Sequence, residues 1–90
     1  MDLTDADPKG LIRESYQIDG ITAGECRSVF MDWALSLPVG AGFKDALDVL
    51  ITRYAETEPN HPMSVVMREG MAAPEAEARR KGGRAGRVAG

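Results

Sequence analysis

Between Ile21 and Pro38 the chain carries a full set of helix start and stop signals. Thr22 followed three positions later by Glu25 fits a capping box, in which hydroxyl and carboxylate each satisfy a backbone N–H left free by the first turn. Pro38 forbids continuation, so the helix is predicted over 22–36. The same run holds the only Cys, the only Trp and one of the two Phe residues. At helical spacing Cys26, Val29, Phe30, Trp33 and Leu37 form one apolar stripe, with Ala34 at its margin. Met31 and Leu35, four apart, form a second apolar ridge on the opposite side. A helix that is apolar on two sides either has neighbours on both or meets another copy of the chain.

Ninety residues make one domain at most. The last seventeen are poor in large apolar side chains, so the folding unit is expected over 1–73, with 74–90 a disordered basic Gly/Ala/Arg tail. A unit of about seventy residues buries only about 60% of its unfolded surface. Small domains without disulfides or metals often gain the missing burial by oligomerising. A single Cys forms no internal disulfide and fits a reducing compartment. The acidic start Met1-Asp2-Leu3-Thr4-Asp5-Ala6-Asp7 has neither the basic nor the apolar region of a signal peptide. No apolar run reaches the eighteen or so residues of a membrane span, so the cytoplasm is the expected location.

The remaining segments are also predicted as helices. Asp7-Pro8 offers an N-cap followed by proline at the first helical position, opening a helix over about 8–18 that Asp19-Gly20 terminates as a left-handed turn. In this helix Leu11, Ser15 and Ile18 share one face, and Ile12 and Tyr16 the next. The Pro and Gly residues of 37–42 mark a loop. From about 43 to 56, Phe43, Ala46, Leu47, Leu50, Ile51 and Tyr54 share one face, opposed by Lys44, Asp45, Asp48, Thr52 and Glu56, with Val49 off the main face. Pro62 starts a last helix over about 62–71, in which Met63, Val66, Met67 and Gly70 align. That helix is too short to persist unless it packs on the others. The fold class expected is therefore all-α, a small bundle of four short helices.

Charge divides unevenly. The tail holds Arg79, Arg80, Lys81, Arg84 and Arg87 against Glu75 and Glu77, a net +3, whereas residues 1–73 carry −6. Five scattered cations without interleaved aromatics give only weak, salt-sensitive attraction to nucleic acid. The succession of helix 22–36, a joint and helix 43–56 superficially follows helix-turn-helix order. The joint is too long, however, and Asp45, Asp48 and Glu56 would face the phosphates. A nucleic-acid accessory role acting through the tail is the alternative reading, and nucleic acid is not the expected partner.

For chemistry the candidates are Cys26 and His61. Cys26 lies near a helix start with Arg27 adjacent, which favours a thiolate, yet it sits on the stripe of Phe30 and Trp33, where a thiol acts as a small buried hydrophobe. His61, just before Pro62, is expected either to cap the last helix or to be exposed, rather than to act as a base. One Cys and one His do not make a four-ligand zinc site, and Asp45 with Asp48 reads as a solvated helix face. No P-loop, dinucleotide-binding glycine turn, H-E-x-x-H or G-x-S-x-G occurs. The expectation is no enzyme, no catalytic residue, no cofactor and no metal. A Cys26/His61 enzyme is the remoter alternative. Arg27, Arg53 and Arg68 would hold an acidic ligand only if the fold brought them together; the ordinary expectation is pairing with Asp32, Glu56 or Glu69.

The segment 18–38, from Ile18-Asp19-Gly20 through Met31-Asp32-Trp33 to Leu37-Pro38, together with His61-Pro62-Met63-Ser64-Val65-Val66-Met67-Arg68-Glu69-Gly70, resembles a group of short alphaproteobacterial proteins of unknown function. The resemblance covers about 10–71. It implies a small bacterial cytoplasmic protein and no particular activity. What the residues themselves point to is a self-associating interaction module, with Met31, Leu35, Val49 and Val65 as the expected interface. The partner expected is a second copy of the chain or another protein, docked by helix anchors at i,i+4 spacing.

Overall fold

The structure, a computed structural model, describes residues 1–38 and 42–73. Among these residues all regular structure is helical: α1 (Leu3–Ala6), α2 (Leu11–Ser15), α3 (Ala23–Ser36), α4 (Phe43–Leu50), continued by a π-helical turn (Ile51–Ala55), and α5 (Pro62–Ala72). The all-α fold is thus established. The predicted tail falls outside the described residues, as do residues 39–41 of the predicted loop.

α3 forms as its signals require. The Thr22 hydroxyl accepts from Glu25 N–H at 3.1 Å, and the Glu25 carboxylate accepts from Thr22 N–H at 2.9 Å, closing the capping box. Cys26, Phe30, Trp33, Ala34 and Leu37 are buried, so the predicted stripe is the core-facing side of α3. Its rings meet α4 directly. Trp33 lies 5.5 Å and Phe30 6.2 Å from Phe43, centroid to centroid, in tilted and edge-on packing. Such pairs add to the burial that drives small cores together.

α5 docks on α3 and completes the core with Met63, Val66 and Met67. The helices approach closely at Gly70, where a Cβ would stand 2.6 Å from Phe30 Cζ. A helix-interior glycine costs about 1 kcal/mol against alanine; here its missing side chain is what lets α5 lie on the Phe30 ring. The ends of α5 are tied separately. His61 Nδ1 accepts from Met63 N–H at 3.0 Å as the N-cap. At the other end, Lys44 Nζ from the first turn of α4 donates to the carbonyls of Gly70, Met71 and Ala73. Lys44 is accordingly half-buried, not part of the solvated face where the amphipathic pattern puts it.

The N-terminal region departs from the predicted single helix over 8–18. Residues 3–6 form α1, capped by the Asp2 carboxylate, which accepts from Asp5 N–H. Asp7 closes α1 rather than opening the next helix, and α2 begins after Gly10, which holds the left-handed conformation at φ 68°. Asp7 still caps α2, from outside: its Oδ2 accepts from Arg13 N–H at 3.0 Å. The acidic start is part of the core, because Ala6 is fully buried and its carbonyl accepts from Trp33 Nε1–H at 2.6 Å. α2 stops at Ser15, whose hydroxyl turns back to the Ile12 carbonyl. Ile18 therefore lies beyond the helix and is exposed rather than on its apolar face. Gly20, at φ 76°, makes the expected left-handed turn.

The helix predicted over 43–56 is a single rod, but its last turn is widened to π geometry, with Glu56 N–H reaching back five residues to the Ile51 carbonyl. The widened turn buries Ile51 and Ala55 and leaves Tyr54 half-buried at the edge of the core.

Candidate functional site

Three features of the described residues offer material for a site: a polar aromatic cluster, a cleft beside α1, and the outward face of α3.

The polar cluster gathers residues from three stretches of chain. The Tyr16 ring is sandwiched between Tyr54, 4.9 Å away, and His61, 4.2 Å away. The Ser64 hydroxyl donates to the Glu58 carbonyl at 2.7 Å. A serine has one hydroxyl hydrogen, so in the 2.5 Å contact with Tyr16 the phenol is the donor and Ser64 the acceptor. Burial pushes the Tyr16 phenol up to about 12, only partly offset by its bond to Ser64. A half-buried, hydrogen-bonded, neutral phenol locks the end of α2 to α5. It is not an acid or base poised near neutrality. Sequence reasoning missed this cluster because Tyr16 and Ser64 are 48 positions apart and no local pattern links Tyr16 to its partners.

Cys26 is fully buried, and burial, with a lesser push from Glu25, raises its thiol above the ordinary value. That is the opposite of what a nucleophilic thiolate needs. The acceptor nitrogen of His61 is committed to the α5 cap. Neither residue is therefore arranged as activated nucleophile or free base. Among the described residues no group of three or more His, Cys, Asp or Glu side chains converges to hold a metal ion.

The cleft, about 290 Å³, lies between α1 and the π turn and is lined by Thr4, Asp7, Lys9, Arg13 and Tyr54 among others. Asp7 Oδ1 is buried there without a partner among the described residues. The other oxygen of the same carboxylate, Oδ2, accepts from Arg13 N–H and caps α2.

The predicted interface residues differ in environment. Leu35 is 72% exposed and Met31, one turn earlier on α3, is half-buried. Val65 is 47% exposed on α5. Val49 is half-buried against the core and lines a shallow hollow with Asp48, Thr52, Arg53 and Thr57 from its own rod and the turn after it. A second apolar hollow, about 340 Å³, is formed by Ile18, Ile21 and Val29 with Glu25 and Ser28. Its signal lies in Ile18, which sequence periodicity assigned to a helix face that α2 does not extend far enough to form.

Of the three arginines considered together, Arg53 lies 6.0 Å over the Tyr54 ring, Arg68 is exposed on α5, and Arg27 is exposed on α3. Among the described residues Arg27 and Asp32 do not form the expected ion pair; they stand five positions apart along α3. No helix among the described residues is long and apolar enough to cross a membrane. Compared with known proteins, the chain matches no family model, no curated protein and no solved structure.

Proposed function

We propose that this chain is a self-associating helical interaction module, acting through the outward ridge of α3 and without chemistry of its own. The observation that carries the reading is Leu35: a large aliphatic side chain 72% exposed on the helix whose other side supplies Phe30, Trp33 and Ala34 to the core. A helix of this kind is normally polar on its outer side. Met31 beside Leu35 adds an adaptable apolar surface, and a small domain gains most from burying both. Val65 is a further contact point in this reading, whereas Val49, already packed against the core, is a lesser one. A bacterial cytoplasmic setting, as the resemblance to short alphaproteobacterial proteins implies, belongs to the same proposal.

The test is equilibrium sedimentation of the wild type and Leu35→Glu over a wide concentration range. The expected outcome is a concentration-dependent dimer that the substitution dissolves while the melting temperature stays within a few degrees, since an exposed side chain contributes little to the fold. A monomer in both proteins at every concentration removes the reading.

A further inference from the structure

We infer that the occupant of this ridge is a second copy of the chain, seated α3 against α3 with the two helices parallel and in register. The inference rests on the self-association reading and adds orientation and the pairing that sets it.

Gly24, Ser28, Met31 and Leu35 succeed one another at intervals of four, three and four, the spacing of a seam between paired helices. Gly24, Ser28 and Leu35 are exposed and Met31 is half-buried. At Gly24 an added Cβ would find only Thr22 Oγ1, 4.0 Å away, so no other element among the described residues covers the backbone there and a second helix can approach closely. The seam is small and open at its N-terminal half and apolar and protruding at its C-terminal half.

Charge chooses between the two orientations. α3 contains three charged residues: Glu25, Arg27 and Asp32. Glu25 is held by the capping box. The other two flank the seam on opposite sides, Arg27 immediately before Ser28 and Asp32 immediately after Met31. In a parallel pair, the residue preceding one seam position faces the residue five positions later on the other helix. Arg27 of each copy then faces Asp32 of the other, and two-fold symmetry makes the contact twice. An antiparallel pair brings like flanks together, Arg27 with Arg27 and Asp32 with Asp32. The pattern therefore attracts in one orientation and repels in the other, which is how helix pairs obtain specificity. A seam of one fourteen-residue helix buries less than the roughly 1,200 Å² of a standard interface, so the dimer is weak and dependent on concentration.

Two measurements test this. In the first, Leu35→Cys is oxidised gently, alone and mixed with Gly24→Cys. Cys26 is fully buried and does not compete. Parallel seating juxtaposes the two copies' position 35 within disulfide reach, so a covalent dimer linked 35 to 35 is expected and a 24-to-35 link is not. In the second, Arg27→Glu weakens dimerisation about tenfold by setting like charges face to face. The double variant Arg27→Glu/Asp32→Arg, which restores the pairing with signs exchanged, recovers it. Circular dichroism shows that each exposed-site variant keeps its helix content. If the wild type dimerises but the cysteine variants form the 24-to-35 link, or the double variant dimerises no better than the single one, the parallel arrangement is overturned and self-association stands. A wild type that never dimerises removes both.

Discussion

Tyr16 is where three separated stretches of chain meet. Its ring is held between Tyr54 and His61, and its hydroxyl donates to Ser64. Nothing in the local sequence marks it as more than one side of a short amphipathic helix, because stacking partners come from the fold and not from neighbours in the chain. Its titration gives the arrangement a measurable signature. The unfolded phenol ionises near 10 and the folded one at about 12, so the native state retains a proton that the unfolded state has lost. The stability contributed by the neutral phenol is complete below pH 10 and declines as pH rises from about 10 to about 12. Tyr16→Phe should flatten urea-denaturation stability across that window, while the wild type loses stability steadily through it. An unchanged slope in the variant would mean that Tyr16 is not the group responsible.

At the scale of elements, α5 shows how a helix too short to persist alone becomes fixed. Its apolar positions were legible: Met63, Val66, Met67 and Gly70 align in the sequence and all are buried. Of the two roles that its place before Pro62 allowed, His61 takes that of the cap. The device at its C-terminal end was not legible, because Lys44 belongs to another helix and looks like an ordinary solvated cation in its own pattern. Bound to the last carbonyls of α5, it satisfies acceptors that the helix end leaves free and lies favourably in the helix dipole. Lys44→Met, which keeps the aliphatic stem and removes the donor, is expected to destabilise the protein by about 1–2 kcal/mol. Hydrogen exchange should show the loss concentrated in the last turn of α5. A uniform change across the chain would contradict this assignment. The π turn at the end of the α4 rod is a further feature that apolar periodicity does not announce: the segment reads as continuous α-helix, yet Glu56 N–H reaches the Ile51 carbonyl.

For the whole molecule, the acidic N-terminal segment, which precedes the first predicted helix, contributes to the core. Trp33 is completely buried, and its indole N–H requires an acceptor in the core; the Ala6 carbonyl is that acceptor. Deleting residues 1–7 removes the acceptor, the buried Ala6 and the Asp7 cap on α2 together. We expect a loss of about 2–4 kcal/mol, a large share of the stability of a domain this small. Thermal melts of the truncated chain read this directly, and a melting temperature equal to that of the full chain would show that α1 is dispensable.

The sequence by itself determined that the chain is helical, where α3 begins and ends, which side of α3 faces the core, and the alignment of apolar side chains on the α4 rod and α5. These follow from capping, proline and periodicity, all properties of residues within a few positions of one another. Only the tertiary structure decided that residues 3–6 form a helix serving Trp33, that α2 ends before Ile18, that Lys44 belongs to the end of α5, and that Tyr16, Tyr54, His61 and Ser64 form one cluster. Each of these depends on a hydrogen bond, ring contact or close approach between distant segments, and such partners exist for one another only once the chain has closed around its core.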